Sequence, residues 1–167
     1  LQSLANDLVM AGYYGGILDA DLIDVSHSSL NIGTANDCGP GTDAVAGWAF
    51  DVVTPQEFYD HGEASVNATY GCVDDEDYDN GSDILTIRRV SGIVTASDQG
   101  SGLVCEDGSA GCTLTANTFY LRSNAASGTL FKTNGSGGVP AGVATPATPV
   151  DYWQYITRVY YIANTNN

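Results

Sequence analysis

Six carboxylates fall within the eleven residues VDDEDYDNGSD (73–83), the densest set of chemistry-bearing side chains in the chain. Asp75, Asp77 and Asp79 alternate, and oxygen ligands at the first, third and fifth positions of a loop can converge on one hard cation. Ca²⁺ is therefore the candidate ion, and no other cofactor is expected. Asn80 stands where an EF-hand loop has glycine, and Thr86 stands where it has a bidentate glutamate, so the segment departs from that loop. The simpler reading is a solvated acidic loop that enters a strand through an Asn80-Gly81 turn.

Other chemistry finds little material. His27 and His61 are the two histidines, which leaves almost nothing from which to build a Ser/His/Asp or Cys/His arrangement. His61 and Glu63 lack the HExxH spacing that sets two histidines on one zinc. A phosphate-binding loop and a GxGxxG turn after a strand are both missing from the sequence. Among 20 acidic residues a carboxylate pair at glycosidase distance arises by chance, so it carries no signal without a cleft. The residues point away from catalysis.

The four cysteines, Cys38, Cys72, Cys105 and Cys112, contain no CxxC pair and read as two disulfides rather than a metal site. A bridge between Cys105 and Cys112 would tie off the loop EDGSAG and leave Cys38 for Cys72, although four cysteines allow three connectivities. Disulfides place the chain in the periplasm, at the cell surface or in the medium; the competing reading is four reduced thiols in the cytosol. The balance of 20 acidic to 5 basic residues, a formal charge of −15, repels phosphate backbones and anionic membranes alike.

The elements that must position these residues follow from periodicity. Leu1, Leu4, Ala5, Leu8 and Ala11 form one apolar helical stripe that Gly12 ends, and YYGG reverses the chain. The chain opens at Leu1 inside that pattern without an initiator methionine, which predicts a piece of a longer protein. Residues 17–47 read as loops and short strands, and WAFDVV (48–53) as the first strand, closed by Thr54-Pro55. DILTIRRVSG (83–92) and IVTAS (93–97) follow as strands, then TLTANTFYLRS (113–123) and TLFKT (129–133) as a hairpin. Residues 133–150 form a Gly/Pro/Ala-rich loop, and YITRVYYIA (155–163) is a last strand that is apolar on both sides. With 20 glycines and 15% charged residues, the expected fold is α+β: one N-terminal helix, then a mainly antiparallel β-meander with long loops, in a single domain over 1–167.

Four segments resemble, in order, PilW-type minor pilins of type IV pili. LANDLVMAGYYGG (4–16) is similar to the end of that family's long N-terminal helix, and NGSDILTIRRVSG (80–92) to its Gly-Ser-Asp-x-Leu strand after a cysteine-containing loop, here Gly71-Cys72. FYLRSNAASGTLFK (119–132) and ITRVYYIANT (156–165) are similar to its later hairpin and Tyr-Tyr strand. Together they cover about a third of the chain. The family's prepilin-peptidase site and membrane-spanning half-helix would precede Leu1, and members usually continue beyond the Tyr-Tyr strand.

The resemblance implies residues 1–12 as the end of a pilin helix and 13–167 as a β-rich head. It implies a structural, non-enzymatic subunit held in the inner membrane by the segment ahead of Leu1, then assembled into an extracellular pilus, at its tip or in a priming complex. Its partners would be other pilins, met through the helix, with Leu1, Leu4 and Leu8 as the interface stripe. Their other role is packing the helix on the chain's own sheet. Alternatives are a type II secretion minor pseudopilin, a secreted calcium- or carbohydrate-binding module, and an acidic hydrolase with a raised-pKa carboxylate. Two intramolecular disulfides predict that the unfolded, non-reduced protein titrates no thiol; four reactive thiols would overturn the pairing.

Overall fold

The computed structural model describes residues 2–30, 48–59, 78–79, 81–143, 147 and 149–163. It is a mixed α+β fold, one N-terminal helix followed by a curled, mostly antiparallel sheet. Helix α1 (Gln2–Met10) is followed by strands β1 (Ile23–Asp24), β2 (Gln56–Tyr59), β3 (Ile84–Val90), β4 (Ala96–Asp98) and β5 (Leu103–Cys105). Strands β6 (Phe119–Ser123), β7 (Gly128–Lys132) and β8 (Val150–Tyr160) complete it. The strand order is β1-β7-β6-β8-β3-β2, with β4 pairing both β8 and β5.

This order is not the expected meander. The last strand, β8, lies in the middle, with β6 along one part of its length and β3 and β4 along others. Its composition explains the position. Trp153 and Tyr155 point to one side and Tyr152 to the other, all buried, so β8 needs a covering layer on both faces. On one face Trp153, Tyr155, Val90, Leu121 and Leu130 pack against Tyr14, Ile17, Ile23, Phe50 and Val52. On the other, Tyr152, Tyr120 and Phe131 pack under Leu114 and Val143.

The chain wraps the sheet to supply these layers. After α1, Gly12 takes a left-handed φ of 76° and donates its N–H to Arg88 O at 3.0 Å; Tyr13 O accepts from Val90 N at 2.9 Å. The chain thereby crosses the outer edge of β3 and passes from the helix side to the opposite face. Residues 14–24 then traverse that face and add β1 in parallel to β7 at the far edge.

Several strands differ from the sequence reading. WAFDVV (48–53) is a short 3₁₀ turn at Trp48–Phe50 followed by irregular chain. The Asp51 carboxylate accepts from Val53 N and Thr54 N, while Ala49 O is taken by Tyr155 Oη and Thr157 Oγ1; these bonds replace a strand ladder. TLTANTFYLRS shortens to Phe119–Ser123, because residues 113–118 arch over the second cluster, with Thr133 Oγ1 donating to Thr115 O. The hairpin with β7 forms as expected, and its turn places Ala125 at φ 65°. IVTAS contributes only Ala96 and Ser97 to β4, after a bend at 91–95.

Cys105 and Cys112 are bonded, with Cα atoms 5.0 Å apart. The bridge fastens the end of β5 to the root of the arch, two residues before buried Leu114. Cys38 and Cys72 lie outside the described residues.

Gly15 is the tightest point of the wrap: its φ is 61°, and a Cβ there would lie 2.5 Å from Trp153 Nε1. Gly15→Ala should therefore cost more than about 2 kcal/mol in urea unfolding, from clash and left-handed strain together. Gly108→Ala has the same sign of φ but open space around it, and should cost only about 1 kcal/mol.

Candidate functional site at the helix–sheet joint

The buried residue of α1 is an aspartate. Asp7 is three residues from Leu4 and four from Ala11, on the side the helix turns to the sheet, and is 1% exposed. Arg89, on β3, reaches its Oδ1 through Nε at 2.9 Å and Nη2 at 2.6 Å. Arg158, on β8, reaches Oδ2 through Nη1 at 2.7 Å, and the Tyr160 hydroxyl donates to the same oxygen. Arg158 also donates to Ser3 Oγ at 2.7 Å, one turn earlier on the helix.

Register explains the convergence. Arg89 pairs with Ile156 and Ile87 with Arg158, so Arg89 and Arg158 project from adjacent strands onto one face, opposite to Val90 and Tyr155. Burial pushes the Asp7 carboxyl up, but hydrogen bonds from Tyr160, Arg89 and Arg158, with the Arg89 charge, outweigh it and hold the pKa below its ordinary value. With four donors on its two oxygens, Asp7 serves as a clamp between helix and sheet and has little capacity left to move a proton.

The expected stripe is divided. Leu4 is half-buried, whereas Leu8 is 38% and the neighbouring Val9 83% exposed, so the outward side of α1 keeps apolar surface. The helix is thus held to its sheet mainly by a polar joint and not by the leucines. Leu1 lies outside the described residues.

Of the calcium candidates, Asp75 and Asp77 lie outside the described residues. Asp79 donates its backbone N–H to Ile162 O at 2.9 Å and accepts from Ser82 N at 2.9 Å, placing it in a turn beside the end of β8. Among the described residues, no three His, Cys, Asp or Glu side chains stand close enough to hold a metal ion. His27 Nδ1 accepts from Ser29 N at 3.1 Å and its Nε2 lies 3.3 Å from Ala141 O, a tie between two loops.

All five basic residues sit on strands and are engaged there. Fully buried Arg88 donates to Thr54 O at 2.6 Å and Glu57 at 2.7 Å. Arg122 lies over the Tyr152 ring and Lys132 over the Phe119 ring, at 5.4 and 5.3 Å. Arg89 and Arg158 hold Asp7.

The joint was missed in the sequence because the stripe is defined by apolar residues, and Asp7 interrupts it. A signal was present: an acidic residue at a core-facing helical position, in a chain whose scarce arginines sit in the middle of strands, calls for pairing. No protein-family model matches the chain, and neither curated proteins nor solved structures gave a match. No helix among the described residues is long and apolar enough to cross a membrane.

Asp7→Asn, leaving Arg89 without its counter-charge, should cost about 3 kcal/mol in chemical unfolding. Because the folded pKa of Asp7 is depressed, its contribution is present above the unfolded value near 4 and lost as pH falls through the folded value. Wild-type stability should therefore decline through this acid window more steeply than that of the variant. Equal slopes would mean that the carboxylate charge does not hold the joint.

Proposed function

We propose that this chain is the head of a PilW-type minor pilin, a structural subunit that takes part in assembling or priming a type IV pilus, and that α1 is the end of its pilin helix. The observation that carries the reading is the joint itself, together with what it leaves outside. Asp7, Arg89 and Arg158 with Tyr160 come from three of the four segments that carry the resemblance, and they meet in one clamp. That clamp holds α1 firmly to the sheet while Val9 and Leu8 stay exposed on the outward side.

A helix fixed to its head but apolar outward is suited to packing among the helices of neighbouring subunits, ridge into groove. The disulfide between Cys105 and Cys112 suits a head carried outside the cytoplasm. In this reading the chain resides in the inner membrane and periplasm before assembly, anchored by a segment ahead of Leu1, and on the cell surface afterwards. Its partners are other pilins, and it carries out no catalysis.

The test is the N-terminal sequence of the intact protein extracted from membranes of its native host. A methylated start followed by about 20 apolar residues that run into Leu1 is the expected result. A hydrophilic start, or a start at Leu1 after a cleaved secretory signal, would remove the filament role and leave a secreted binding module.

A further inference from the structure

On the face of the sheet opposite α1, the turn between Leu18 and Asp24 presents two leucines to solvent. Leu18 is 100% and Leu22 47% exposed. They are not on a loose segment. Asp19 Oδ1 accepts from Asp21 N at 3.1 Å, Leu22 N donates to Asp19 O at 3.1 Å, and Asp24 Oδ1 accepts from Ser26 N at 2.8 Å. Buried Ile17 and Ile23 anchor the two ends in the core, and β1 pins the second end to β7. The backbone is thus built to hold the leucines outward, four residues apart.

Their surroundings select the partner. Asp19, Asp21 and Asp24 are exposed around them. A second copy of the chain has little to offer such a rim, because its five cations sit on β3, β6, β7 and β8 and are engaged there, and Arg158, 44% exposed, is already tied to buried Asp7. Homotypic contact would instead bring together surfaces of a molecule with formal charge −15.

We propose that the Leu18–Asp24 turn docks onto a different protein, one that offers an apolar pocket for Leu18 and Leu22 bordered by Lys or Arg side chains. The leucines supply the buried area, and the aspartates supply orientation and on-rate. The proposal does not depend on the pilin reading, since the turn lies on the layer opposite α1 and can be engaged whatever the helix contacts.

The first experiment titrates the full ¹⁵N-labelled chain with a synthetic amphipathic Leu/Lys helical peptide, followed by amide shifts, with the Leu/Glu peptide as control. Shifts centred on residues 17–24 are expected, with at least tenfold weaker binding for the L18S/L22S double variant and again in 0.5 M NaCl. Leu18 is fully and Leu22 47% exposed, so the variant should keep its fold, which its amide spectrum away from residues 17–24 checks. Shifts spread evenly over the acidic surface, or unchanged binding by L18S/L22S, would overturn the proposal. The second experiment places a photoreactive residue at position 18 of the full-length protein in its host. An adduct whose cross-linked site is apolar and flanked by Lys or Arg on another protein supports the proposal. An adduct to a second copy or to lipid, or no adduct, overturns it.

Discussion

A carboxylate out of water must be compensated, and in this protein that requirement decides how the helix meets the sheet. Asp7 is buried on the inner side of α1, and its compensation arrives from two strands far away in sequence, as Arg89 on β3 and Arg158 with Tyr160 on β8. The pairing of those two strands is therefore a precondition for seating the helix. Replacing such a group by a hydrophobic one of similar shape can be neutral or stabilising, so the joint is better understood as fixing orientation than as adding stability. A purely apolar contact would let a nine-residue helix slide or rotate; four directional bonds to one carboxylate do not.

The rest of the architecture follows from β8 being apolar on both faces. One layer is α1 together with the arch that the Cys105–Cys112 bridge fastens; the other is the irregular chain of 13–30 and 48–55. Since the polypeptide supplies both layers partly from a single N-terminal stretch, it has to cross a sheet edge. Gly12 and Tyr13 do so while bonding to that edge, which also satisfies groups of β3 beyond the reach of β2.

Charge is distributed with the same economy. Each of the five cations makes an internal contact, although Arg158 is also 44% exposed, so carboxylates dominate the outside of the molecule. Apolar side chains are exposed at several places, among them Val53, Phe58 and Ile93, and two further places lie on opposite layers: the outward side of α1 and the turn that bears Leu18 and Leu22. The first suits a uniform neighbour in a filament of helices. The second, ringed by aspartates, suits a basic partner. In the proposed pilin reading, the chain joins an assembly by the first and presents the second.

Helix α1, β3, the β6–β7 hairpin and the long loop before β8 were legible in the sequence, because each rests on local periodicity and turn chemistry. So were the anionic surface and the pairing partner available to Cys105. WAFDVV misled, since β-branched and aromatic residues mark burial as readily as pairing, and the bonds taken by Asp51 and Ala49 settled the backbone there. The central place of β8 and the wrap through Gly12 could not be read locally, because strand order is a matter of which faces need covering. Asp7 shows the division most clearly. The spacing of Asp7 from Leu4 and Ala11 was present in the sequence but was passed over for the leucines, and only the register of β3 against β8 decided that two arginines and a tyrosine would be there to meet it.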